Sequence, residues 1–290
     1  MLEVCGQISE QHTGRGDCIA LIDHTNNPFR PLEADNKQSV FACVNAWNDR
    51  NLRTLFGTFG AIFTPWENIE LNSVVKYTGD RNKKIYVTEM DFPGSFAYLK
   101  DMALYVSQYS KNHEAVAGPI RGQVKSAVPR TNRILTNTIA DSYQTNQTDL
   151  EDEGITSING ITRINPYGQV IWGNRTIAPK DENDGVKATH FLNIRNMISD
   201  VRKICFRAAR KYMFEQNTDV LWINFKSEIT PILDKLKTSY GIKDYRIIKT
   251  KQENTKLWAD IIIQPYYAVE EFRVNIVIQD EDISVEESEE

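Results

Sequence analysis

No run in this 290-residue sequence approaches the ~18 to 20 consecutive apolar residues that a membrane span needs. The N-terminus, MLEVCGQISEQ, has no basic stretch leading into an apolar one, so it reads without a secretory signal. Cysteine and histidine are scarce, four of each. Cys5, Cys18, Cys43 and Cys205 include no pair at C-x-x-C spacing, which argues against a zinc knuckle or dithiol redox motif. They read as reduced, mostly buried thiols, suited to assembly in a cytoplasm. His12, His24, His113 and His190 are scattered, none at i, i+4 from another ligand type, and each reads as structural or surface histidine with no metal role. Phosphate-binding glycine motifs and G-x-S-x-G are missing, and the GTFG at Gly57 to Gly60 is too weak to cradle phosphate. Asp23, beside His24, is the best catalytic candidate on position alone, yet a strand-end aspartate reads first as a turn cap. A strong charge of either sign is missing too. Residues Gln279 to Glu290 hold seven acids and no base, and without them the net charge of −5 becomes +2. That tail reads as a solvated end, and the near-neutral body gives nucleic-acid binding no support.

What is present supports packed cores: 41% apolar and 10% aromatic residues. Cys18 to Asp23, Thr58 to Trp66 and Lys84 to Met90 read as strands. Residues 33–50 and Ser95 to Ser110 read as helices, the latter burying Leu99, Met102, Ala103 and Val106. Strand, helix, strand, strand, helix predicts an α/β layer domain. Residues 128–150 are Asn-, Thr- and Gln-rich without periodicity, so a boundary falls there, dividing the chain into 1–150 and 151–290. In the second half, GITRI and GQVIWGNRTI flank the turn Asn165-Pro166-Tyr167-Gly168 and predict a hairpin. A long helix over Thr189 to Phe214 presents Ile194, Ile198, Val201, Cys205, Ala208 and Tyr212 on one face. A second helix starts at Thr218-Asp219 and buries Val220, Leu221, Phe225, Ile229, Leu233 and Leu236. Pro231 should kink or restart it, with Thr230 as a cap, and Gly241 should end it. Strands over Tyr245 to Thr250, Trp258 to Gln264 and Glu271 to Gln279 close the chain. Residues 153–279 are expected to share one core, with Trp172 largely buried.

Two features carry interaction chemistry. On the long helix Arg195, Arg202, Lys203 and Arg210 fall within roughly a 100° arc opposite the apolar face, with Arg207 and Lys211 at its edge. Six bases against Asp200 repel one another, a cost that an acidic partner would relieve. The terminal strand alternates, with Phe272, Val274, Ile276 and Ile278 on one side, so it can pair internally or be donated to another chain.

The segment from Gly154 through Asn159-Gly160-Ile161 to Gly168-Gln169-Val170-Ile171-Trp172-Gly173-Asn174-Arg175-Thr176-Ile177 resembles the hallmark of phage contractile tail sheath proteins. Trp172, Gly173, Arg175 and Thr176 carry it. Asn193-Ile194-Arg195, Phe214 to Thr218, Leu221-Trp222 and the Tyr240-Gly241 step follow in the family's order. Upstream, Arg15 to Cys18, Pro65-Trp66 and Ala117 to Pro119 are similar to its central domain. The resemblance implies an α+β fold of two domains, with mixed sheets flanked by helices, and a chain corresponding to the family's C-terminal half without its N-terminal arm. It further implies a structural subunit in a helical lattice of identical subunits around an inner tail tube, contacting baseplate and tail terminator. The family carries no cofactor and is not enzymatic. Its place is a virion tail assembled in the bacterial cytoplasm, where contraction drives the tube through the host envelope. The arc Arg195, Arg202, Lys203, Arg210 is then expected to meet the tube, and Phe272 to Ile278 to pass between subunits. The alternatives are an α/β enzyme using Asp23, or a module binding acidic partners through the basic helix.

Overall fold

The structure, a computed structural model, describes residues 1–9, 12–23, 56–64, 67–77, 84–124, 129–131, 158–164, 166–178 and 186–269. Along the chain come α1 (Leu2–Cys5), the short strands β1 (Gln7–Ser9) and β2 (His12–Thr13), then β3 (Ala20–Asp23). A 3-10 turn at Gly57–Phe59 leads into β4 (Gly60–Thr64), followed by β5 (Glu67–Tyr77), β6 (Lys84–Phe92), α2 (Gly94–Tyr109) and α3 (Gly118–Arg121). Next are β7 (Pro129–Thr131), β8 (Ile158–Ile164) and β9 (Gly168–Trp172). Two long helices, α4 (Leu192–Lys211) and α5 (Asp219–Thr238), precede β10 (Ile242–Glu253) and β11 (Lys256–Pro265).

A mixed sheet of order β3-β4-β8-β9 forms the centre. β3 and β4 run parallel, as do β4 and β8, with Ile62 beside Ile158, whereas β8 and β9 form the expected antiparallel hairpin with Ile161 opposite Ile171. An apolar run such as Gly-Ala-Ile-Phe suits a strand covered on both faces. Ala61, Ile62 and Phe63 of β4 are indeed all buried. On one face Ala61, Phe63, Ile161 and Ile171 pack with Ala97 and Tyr98 of α2 and Leu192 of α4. On the other, Ala20 and Ile62 pack with Leu2, Phe56 and Ile177. A separate core joins α4, α5 and β10 through Ile194, Met197, Val201, Ile229, Leu233 and Ile242. The hairpin β8–β9 therefore shares its core with strands of the first half, and the described residues of 153–279 divide between two cores instead of sharing one. Residues 132–157, where the sequence places the division at 150, lie outside the described residues. So do the helix read at 33–50 and the strand from Glu271 to Gln279.

Several expectations are corrected. The buried positions of α2 are Gly94, Ala97, Tyr98 and Asp101, while Leu99 is 53% exposed and Ala103 is exposed. Docking on β4 sets this face, where Tyr98 stacks on Phe63 at 4.5 Å between centroids and takes a hydrogen bond from Asn196 at 3.1 Å. β5 was not legible in its mixed, charged sequence; it is held between β6 and β7 in an antiparallel sheet. Thr218 caps α5 as read, accepting from the Leu221 amide, but Val220 faces solvent and Pro231 neither ends nor restarts the helix. The Thr230 hydroxyl donates to the Lys226 carbonyl, inside a continuous helix, and so caps no new start. The helix ends in a Schellman-type turn: the Gly241 amide donates to Leu236 and the Tyr240 amide to Lys237. Tyr240 takes the left-handed conformation, φ 59°, so Gly241 is not the left-handed residue. A Cβ on Gly241 would stand 2.8 Å from the His113 ring, so close approach is the reason for glycine here.

Candidate functional site

The hallmark segment folds as a joint between the central sheet and α4. Leaving β9 at Trp172, the chain crosses β8 so closely that a Cβ on Gly173 would lie 2.8 Å from the Asn159 Cα. Asn159 is fully buried and uses its whole amide. Its Nδ2 donates to the carbonyls of Ile62 at 3.1 Å and Arg175 at 2.8 Å, and its Oδ1 accepts from the Arg175 amide at 2.7 Å. Asn174 and Asn193 answer each other: Asn174 Nδ2 donates to Asn193 Oδ1 at 2.7 Å, and the Asn193 amide donates to Asn174 Oδ1 at 3.2 Å. Asn193 Nδ2 continues to the His113 carbonyl at 2.8 Å, which brings in the loop after α2. The Thr176 hydroxyl donates to Thr189, the Ile177 amide to Gly60, and the Arg175 guanidinium lies 4.5 Å over the Phe191 ring. Buried amides satisfied this fully are rigid and directional. Their chemistry is structural, holding strand, loop and helix in one geometry. Trp172 is only partly buried, because β9 ends there.

Asp23 also has a structural task. Its carboxylate accepts from both the amide and the hydroxyl of Ser95 in the first turn of α2, satisfying a free helix amide from a neighbouring strand. Burial raises its pKa while both contacts with Ser95 oppose that shift. His113 hydrogen-bonds through Nε2 to the Ser239 carbonyl at 3.0 Å, and burial lowers its pKa. Among the described residues, no three His, Cys, Asp or Glu gather as a metal site would require.

The basic arc of α4 divides in two. Arg195 is 7% exposed, with its guanidinium 3.5 Å over the Phe59 ring, so it is not part of an outer face. Burial, then the nearby Arg202 charge, lowers its pKa to about 10. The N-terminal half of α4 is covered by the Phe59 turn and by α2, which reaches Asn196. Arg202 is partly buried and lies over Phe206 at 5.3 Å. Lys203, Arg207 and Arg210 are exposed and lie within about 60° of one another at 100° per residue, while Lys211, also exposed, is paired with Glu228 of α5. The terminal strand positions Phe272, Val274, Ile276 and Ile278 lie outside the described residues.

One feature the sequence did not single out is the β10–β11 ribbon. It is a two-stranded sheet on its own among the described residues, with Tyr245 opposite Ile263 and Ile247 opposite Ile261 toward α5. Its far end is tied down by Gln252 to Asn217 at 2.8 Å and Lys249 to Asp219 at 2.8 Å. Neither outer edge pairs with another described strand, and Ile262 on the outer face is 54% exposed.

No family model matches the sequence, and neither does any curated protein. Solved structures do match. The sheath complex of an extracellular contractile injection system, PVC, in its contracted state, aligns with TM-score 0.56 and 16% identity over 90% of this chain. A chain of the contracted baseplate of the anti-feeding prophage AFP gives 0.57 and 17% over 97%. The six-fold symmetrised AFP baseplate gives 0.54 and 15% over 86%. The chain spans 64% of the length of the PVC chain and 67% of that in the symmetrised AFP baseplate. This chain is similar in fold to a contractile injection system sheath.

Proposed function

We propose that this chain is a structural subunit of a contractile sheath, polymerising helically with copies of itself around an inner tube. Shortening of the lattice would drive the tube through a target envelope, with the baseplate and a tail terminator at its ends. The observation that carries the reading is the match of 90% of the chain to a PVC sheath fold. Head-to-tail contacts that do not close on themselves generate a helical filament in general, and one feature of the chain fits the reading. A two-stranded ribbon whose edges pair with no other described strand is marginal alone and suited to accept a strand.

The strand Phe272 to Ile278 is proposed as the donor, adding to a neighbour's β10–β11 ribbon. Each backbone hydrogen bond nets about 0.5 to 1.5 kcal/mol, and burial of Phe272, Val274 and Ile276 adds to that. Such a joint can hinge while rigid bodies repack. Lys203, Arg207 and Arg210 are proposed to face the tube, with Arg202 beside them; Arg195 is too buried to take part. Electron microscopy of the full-length protein tests the reading: striated tubes are expected, and dispersed particles under all assembly conditions would overturn it. Removing residues from Glu271 onward should then abolish tubes while leaving the thermal transition of the monomer intact. Unfolding of the monomer on that deletion would place the strand inside its own domain.

A further inference from the structure

We infer that α4 carries a binding site for one small oxyanion, built on the buried Arg195 guanidinium and the Ser199 hydroxyl. Arg195 is 7% exposed and Ser199 4%. The Arg195 Nε and the Ser199 Oγ are buried, and neither has a hydrogen-bond partner among the described residues. The guanidinium lies 3.5 Å over the Phe59 ring, and none of the described ion pairs involves it. Asp200, the one acid of α4, pairs instead with Lys203 at 3.7 Å. Cations that proteins bury are paired, because an isolated charge removed from water is strongly unfavourable. Water can answer a hydroxyl, but it does not neutralise a guanidinium.

Helix geometry sets the site. Ser199 follows Arg195 by four residues, so their Cβ atoms stand about 5 to 6 Å apart on one side of α4. Arg202, three residues further, returns to the same stripe and brings a second cation. Burial and the Arg202 charge lower the Arg195 pKa to about 10 against an opposing pull from Cys18, the direction of a cation short of counter-charge. An arginine fork donates to two oxygens of one anion, and Ser199 supplies a further donor. The ligand class is therefore an oxyanion, phosphate or carboxylate, reached through the part of Arg195 that stays exposed.

The test is calorimetric titration of the unmutated chain with inorganic phosphate, and separately with acetate, at constant ionic strength. Saturable binding of one phosphate per chain is expected, with the thermal midpoint raised by roughly 3 to 5 °C at ten times the dissociation constant. Saturation separates this from the general effect of kosmotropic salts, which grows steadily with concentration. Arg195→Met, which keeps an unbranched apolar stem beside Phe59, should weaken binding by more than about tenfold, and Ser199→Ala by about three- to tenfold. Saturable binding of acetate alone, weakened in the same variants, would support the site and give its ligand as a carboxylate. No saturable binding of either anion, unchanged affinity in the variants, or a loss in Lys203→Gln or Arg210→Gln instead would overturn the inference. Ser199→Ala removes one hydroxyl from a helix that alanine favours, so its result stands even where Arg195→Met fails to fold.

Discussion

Asn159 holds the joint at the scale of a single residue. Three hydrogen bonds meet on one fully buried amide, linking β4, β8 and the strand-like segment at Arg175. Asn159→Ala would leave two carbonyls and an amide without this partner, at about 1 to 3 kcal/mol for each group that water cannot reach. With partial relaxation the expected loss is about 2 to 4 kcal/mol, read from denaturant titration. A loss under ~1 kcal/mol would mean that water replaces the side chain. His113 gives the same joint a pH dependence. Burial holds its pKa below the usual imidazole value of 6.5, although the Ser239 carbonyl and Glu114 pull upward; Lys111 and Arg121 push down. The unfolded chain therefore takes up a proton more readily than the folded one. The stability contribution is complete above the unfolded value and is lost as pH falls through it toward the lower folded value. His113→Gln should flatten the fall of thermal midpoint between pH 7 and pH 5.5. An unchanged slope in the variant would assign the acid sensitivity to other groups.

At the scale of elements, α5 tolerates what its sequence argues against. Pro231 offers no amide to the Ser227 carbonyl one turn back, and its ring crowds that carbonyl. The helix continues because Ile229 and Leu233, on either side of the proline, are both buried against α4 and β10, and Pro231 itself faces solvent. Tertiary burial of that stripe outweighs a local propensity cost of about 3 kcal/mol. Pro231→Ala should accordingly stabilise the protein by about 1 to 3 kcal/mol in urea titration, with no change in helix content by circular dichroism. A destabilised variant would show that the ring makes packing contacts worth more than the missing hydrogen bond. The same competition explains α2. Its amphipathic pattern allows more than one face to turn inward, and the Phe63–Tyr98 stack with the Asp23 contact to Ser95 selects the face with Ala97 and Tyr98.

For the whole molecule, the proposed sheath role asks how weak surface contacts would hold a large assembly. Exposed ion pairs contribute about 0 to 1 kcal/mol each, so a basic face matters only when repeated along a lattice. Reversing Lys203 and Arg210 to Glu should give sheaths that no longer co-sediment with tubes, and the unmodified grip should weaken as salt rises. The monomer should keep its thermal transition, because both side chains are exposed. Unchanged co-sedimentation would mean that this face is only solvated.

Local signals in the sequence determined the hairpin from Ile158 to Trp172, through its turn at Pro166 to Gly168, and the start of α5 at the Thr218 cap. They also determined the apolar stripe of α4, where Ile194, Val201 and Ala208 are buried as their spacing requires. Each of these depends on residues within one or two turns of chain. The tertiary structure alone decided that β4 lies between β3 and β8, because parallel pairing joins segments far apart in sequence and leaves no mark on either. It alone buried Arg195, since the helix period that puts it beside Arg202 carries no information about the Phe59 ring that covers it. The three asparagines of the joint belong to the same class. A polar residue's value depends on which donors and acceptors surround it, and those arrive from β4, the loop after α2 and the start of α4 only when the chain has folded.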